Sequence, residues 1–89
     1  MLNMNKVLDE AIEKDASDVH LIFGLKPILR VARELQESET AEVLSEDELY
    51  EAYDYFVRGN IDKDEIYHET KRLDTSFEYE NIRLRVNIS

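Results

Sequence analysis

Residues 73–88 read Leu-Asp-Thr-Ser-Phe-Glu-Tyr-Glu-Asn-Ile-Arg-Leu-Arg-Val-Asn-Ile. Leu73, Thr75, Phe77 and Tyr79 alternate with Asp74, Ser76 and Glu78. Ile82, Leu84, Val86 and Ile88 alternate with Arg83, Arg85 and Asn87. A period of two marks strands that bury one face. A two-residue turn at Glu80-Asn81 would pair Tyr79 with Ile82. Glu78 then lies opposite Arg83, and Ser76 opposite Arg85, with every apolar residue on one side. Read this way, the two arginines are cross-strand partners, one of an ion pair with Glu78 and one of a hydrogen bond near Ser76.

Working back along the chain, Ser45-Glu46-Asp47-Glu48 is a capping box, flanked by Leu44 and Leu49 as a hydrophobic staple. Leu49, Ala52, Tyr53 and Phe56 follow helical spacing, and Gly59 stands where a left-handed C′ residue belongs. Asp62 with Glu65, and Ile61 with Ile66, repeat the pattern for a second helix running to about Lys71. Tyr50 and Tyr55 fall off the core spacing, so one of them is a candidate for an interaction face.

At the start, Met4, Val7, Leu8, Ala11 and Ile12 form one helical stripe, with Asn3 or Asn5 as cap. The segment Asp15-Ala16-Ser17-Asp18 breaks it. Val19, Leu21 and Phe23 alternate with His20 and Ile22 as a strand. Gly24 to Pro27 turn the chain, and Ile28 to Leu35 form a second extended run. Residues 36–43 read as a polar loop with room for a short strand at its end. The order is helix, two or three strands, two helices, two strands. That is an α+β fold, an antiparallel sheet with helices packed against it.

Composition narrows the function. The chain has 89 residues, 11 Lys and Arg against 21 Asp and Glu, and a formal charge of −10. One domain over residues 1–89 is expected. A binder of nucleic-acid backbone presents cations, so this balance speaks against one. With no Cys, disulfide and thiolate chemistry are absent. No apolar run approaches the roughly 20 residues needed to span a bilayer, and no signal-peptide core follows Met1. A cytoplasmic protein that does not insert into the membrane is expected.

Few residues offer chemistry. Two glycines cannot build a phosphate loop of either common type. His20 and His68 lie far apart, without the paired spacing of a metal site. Acidic runs sit at helix starts, where carboxylates favour the dipole. No catalytic residue, metal ligand or cofactor is therefore assigned to this chain, which is not expected to be an enzyme by itself.

Ala16-Ser17-Asp18-Val19-His20-Leu21, then Gly24-Leu25-Lys26-Pro27, Ile28-Leu29-Arg30-Val31, the capped helix, Leu73-Asp74-Thr75-Ser76-Phe77-Glu78-Tyr79 and Arg83-Leu84-Arg85-Val86-Asn87 follow one another in order. This succession resembles the N-terminal domain of the PilT-like, twitching-motility ATPases, which retract type IV pili and are related to the type II secretion ATPases. The resemblance spans about residues 5–88. It implies a PAS-like domain joined to a RecA-like ATPase domain that lies outside this chain and would carry ATP and Mg. It implies a hexameric ring at the inner face of the cytoplasmic membrane, touching the pilus or secretion platform. The partners it implies are the C-terminal ATPase domains of the same and neighbouring subunits. A chain that stops in strand pattern at Ser89 fits a piece of such a motor.

By the same resemblance, Arg85 takes the place of an arginine near the nucleotide of the assembled ring, with Arg83 as a second. Ala16, Ser17, Asp18, His20, Gly24 and Pro27 match motif positions that look architectural. Lys26 replaces a Pro of the family pattern, the loop before Arg83 is shorter, and Ala32-Arg33 stand where the family has Asp-Gly. A tight primed turn needs positive φ, which burdens Ala and Arg. So the second strand is expected to continue past Arg33, or to turn near Glu37-Ser38. A stand-alone PAS-like sensor and an acidic protein-interaction module are the alternative functions.

Overall fold

The computed structural model describes residues 2–57 and 72–89. In chain order they form α1 (Met4–Glu13), β1 (Asp18–Leu21), β2 (Ile28–Val31), β3 (Glu34–Glu37), α2 (Glu46–Val57), β4 (Leu73–Tyr79) and β5 (Ile82–Ile88). The expected second helix near Asp62–Lys71, Gly59 and His68 lie outside the described residues.

The five strands make one sheet in the order β3-β2-β1-β5-β4. The fold is α+β, as expected, but the sheet is mixed. β1 and β5 run parallel, Val19 beside Val86, while the other neighbours are antiparallel. A hairpin can only give antiparallel neighbours, whereas a long crossover permits parallel ones. Here 60 residues separate the end of β1 at Leu21 from the start of β5 at Ile82. The pairing joins the two apolar edges, since Val19, Leu21, Leu84, Val86 and Ile88 are all buried.

These residues, with Leu29, meet Val7, Leu8 and Ala11 of α1 and Leu49, Ala52 and Phe56 of α2 in a single core. Each fully buried Leu or Ile contributes about 1.5–3 kcal/mol. A slip of one residue would turn each strand's set outward, so the core holds the register. Register in the last hairpin is as the alternation requires, with Glu78 opposite Arg83, Ser76 opposite Arg85 and Tyr79 opposite Ile82. Glu80 and Asn81 take φ of 49° and 69°, the primed turn.

Asn3 caps α1, its side chain accepting from the Lys6 N–H at 3.2 Å. The capping box closes in both directions: the Glu48 N–H donates to Ser45 Oγ at 3.2 Å, and the Ser45 N–H to Glu48 Oε1 at 3.0 Å. Ser45→Ala is expected to cost about 1 kcal/mol, read as a lower urea midpoint. An unchanged midpoint would mean that the box adds nothing.

Three local expectations are corrected. The first strand ends at Leu21, and Phe23 lies in a turn, 61% exposed. The Phe23 N–H still reaches the Ser89 carbonyl at 3.4 Å, but at the next residue the backbone bond changes partner and the Gly24 N–H goes to the Leu44 carbonyl. The second extended run is two strands, and β3 takes the start of the expected loop. Between them Ala32 and Arg33 form a two-residue turn, at φ 51° and 72°, with Val31 paired to Glu34. Strand continuation past Arg33 is thus overturned. Closing a two-residue hairpin demands a primed turn whatever residues occupy it. The cost of about 1–2 kcal/mol per residue is carried by the β2–β3 ladder and by Leu29 in the core. Ala32→Asn with Arg33→Gly is expected to stabilise the fold by about 1–2 kcal/mol. A raised urea midpoint with unchanged slope would show it, and a lowered one would refute it.

Candidate functional site

The helices cover one face of the sheet, and alternation sends the other set of side chains to the opposite face. There Leu35, Arg30, Asp18, Arg85 and Ser76 stand in one row across β3, β2, β1, β5 and β4. Ile28, His20, Asn87 and Asp74 stand in the next. Asp18, Arg30 and Arg85 of the first row and His20, Asn87 and Asp74 of the second, together with Arg72 and Ser89, outline a shallow basin of about 560 Å³.

Arg85 is the centre of this face. Its Nε donates to Asp74 Oδ1 at 3.1 Å and its Nη2 to Asp74 Oδ2 at 2.6 Å. That differs from the expected bond near Ser76. Asp74 lies two residues along β4 on the same face, within diagonal reach of a long side chain. A carboxylate also fits the guanidinium fork better than a hydroxyl. The Arg85 hydrogen bonds hold the Asp74 carboxyl below its usual range, and Asp74 in turn raises Arg85. Arg83 stands opposite Glu78, but the two make no ion pair and both are exposed.

The motif residues around β1 form its frame. Ala16 is buried, its N–H bonded to the Ala11 carbonyl at 2.8 Å. The Ser17 backbone joins both neighbours of β1: its N–H donates to the Arg30 carbonyl, and its carbonyl accepts from the Arg85 N–H. Its hydroxyl donates to Asp18 Oδ2 at 2.7 Å. Gly24 takes φ 82°, and the buried Pro27 accepts the Ser38 N–H at 2.7 Å. No hydrogen bond links the His20 ring to the preceding turn; it faces the basin. Tyr55 ties α2 to α1 through Asn5 at 2.9 Å, and its ring meets Phe56 edge-on and Phe77 at a tilt. Tyr50 remains exposed.

A polar cluster on the helix side escaped the sequence reading. Glu10 of α1 is buried, yet accepts from Ser38 Oγ (2.6 Å), the Glu39 N–H (2.8 Å), Thr40 Oγ1 (2.8 Å) and Lys14 Nζ (2.9 Å). Burial alone would raise its pKa, but these four bonds outweigh it and hold the carboxyl at about 2. The loop after β3 is thereby fastened to α1. At the other end, Tyr79 donates to Asp9 at 3.0 Å, and its hydroxyl pKa is pushed up to about 12.

The open face can exchange ion pairs and accept an anion at a guanidinium. Among the described residues, no three metal-ligating side chains of His, Cys, Asp or Glu come together. No described helix is long and apolar enough to cross a membrane.

A crystal structure of the pilus retraction motor PilT with bound ADP matches 98% of this chain at a TM-score of 0.72 and 28% identity. The fold is that of a PilT-like N-terminal domain. The chain spans 25% of the PilT chain it matches. No protein-family model matches the sequence, and no curated protein matches it. In this PilT-like domain, Arg85 lies on a central strand, with its side chain on the side of the sheet away from the core.

Proposed function

We propose that this chain is the mechanical N-terminal domain of a pilus retraction or secretion ATPase, coupling ATP hydrolysis to pilus movement. The PilT likeness over nearly the whole chain carries this reading. Hydrolysis belongs to a RecA-like domain outside these residues, which binds ATP and Mg. The partners are the ATPase domains of the same and neighbouring subunits in a six-membered ring, and the ring sits against the inner-membrane platform on its cytoplasmic side.

Within that ring Arg85 approaches the terminal phosphate of a nucleotide, with Arg83 further along the same strand. Its place on the open face supports this role, because a guanidinium buried against α1 or α2 could not leave the domain. Ala16, Ser17, Asp18, Gly24 and Pro27 serve as frame, holding β1 between β2 and β5. A sensor would need an enclosed cavity with convergent polar groups; the basin here is open and shallow.

The reading frame beyond the Ser89 codon is the cheapest test. A Walker A sequence is expected there. A stop codon, with no P-loop protein co-purifying, would overturn the proposal.

A further inference from the structure

Arg85 is not idle on the open face. Asp74 holds its fork through two bonds, although the two side chains are 61% and 52% exposed. Exposed ion pairs add little to stability, so holding the sheet together is a poor account of this one. The residue directly opposite Arg85 is Ser76, and a hydroxyl would have left the fork open. The carboxylate comes from the diagonal position instead. A guanidinium presents one planar pair of donors, and carboxylate and phosphate oxygens fit it alike. Whatever phosphate reaches Arg85 must therefore compete with Asp74.

Resting on the reading of Arg85 as a phosphate contact, we propose that Asp74 is a built-in competitor for a polyphosphate group on this face. Asp74 keeps the fork when no phosphate is near, and the incoming group takes it over. Arg30 is the second cation of the site. It stands two strands away in the same row, beyond Asp18, so its Cα is roughly 10 Å from that of Arg85. Two arginine side chains can converge across that distance on one phosphate chain. Asp18 lies between them without holding the fork; it accepts from Ser17 Oγ instead. The two carboxylates thus carry the same charge on the same face but differ in what they hold, and this separates competition from simple repulsion.

The test uses the 89-residue protein and tripolyphosphate as probe at fixed ionic strength, followed by the backbone amide NMR shifts of β1 and β5, which every variant retains. Asp74→Asn is expected to tighten binding about three- to tenfold. Asp18→Asn should tighten it less, Arg30→Ala should weaken it, and Arg85→Ala should abolish it, all with wild-type melting. Equal gains from Asp74→Asn and Asp18→Asn would reduce the effect to charge and overturn the competitor role. No gain from Asp74→Asn, with binding still lost in Arg85→Ala, would also overturn it while leaving Arg85 as the phosphate contact. Absence of binding in every variant would remove the phosphate role of Arg85, and the competitor with it.

Discussion

Arg85→Ala in the assembled ring is expected to lower the ATPase rate by about 10³-fold or more, the scale of arginines that meet charge developing on a transferred phosphoryl group. The same substitution should leave the melt of the domain and the assembly of the ring close to wild type. Arg85 is exposed on the outer face of β5, and its bonds within the domain go to Asp74, also exposed. Losing that pair takes nothing from the core. A structural role and a role at the nucleotide therefore predict effects of very different size. A wild-type ATPase rate beside a shifted melt would make Arg85 a sheet residue and nothing more.

Glu10→Gln is expected to produce the largest loss of stability of any single polar substitution in the described core, about 3 kcal/mol at neutral pH. The figure follows from a carboxyl held at about 2 against an ordinary 4.5, taken at about 1.4 kcal/mol per unit. For a small domain with about 5–15 kcal/mol in all, that is a large fraction. The amide would turn two of its own hydrogens toward groups that are also donors, the Glu39 N–H and Lys14 Nζ. The sign with pH is fixed by the direction of the shift. A group whose pKa falls on folding stabilises the fold above its unfolded value and loses that contribution as pH drops toward the folded one. The gap in urea stability between wild type and Glu10→Gln should be full above about pH 5 and less than about half by pH 3. A gap that stays the same between pH 7 and pH 3 would show that the carboxylate charge is not what fastens the loop.

What was readable from the chain alone was short in range. Both hairpin strands after Arg72, the Glu80-Asn81 turn, the Ser45–Glu48 box and the α1 stripe each depend on residues within a few positions of one another. Alternation, capping and turn chemistry act at that distance, so residue order determines them. The side of the sheet taken by Arg85 belongs to the same class, because it follows from its neighbours Leu84 and Val86.

Tertiary structure decided the rest. Ala32 and Arg33 disfavour positive φ, yet the ladder between β2 and β3 and the burial of Leu29 set the turn there, since several pairings outweigh two local penalties. The parallel pairing of β1 with β5 depends on two strands separated by most of the chain, and no local period carries it. Glu10 looks like one more acidic residue at the rim of an apolar stripe. Lys14 is one helical turn away, but its other three partners lie 28 to 30 positions along the chain, and only folding brings the carboxylate to those donors.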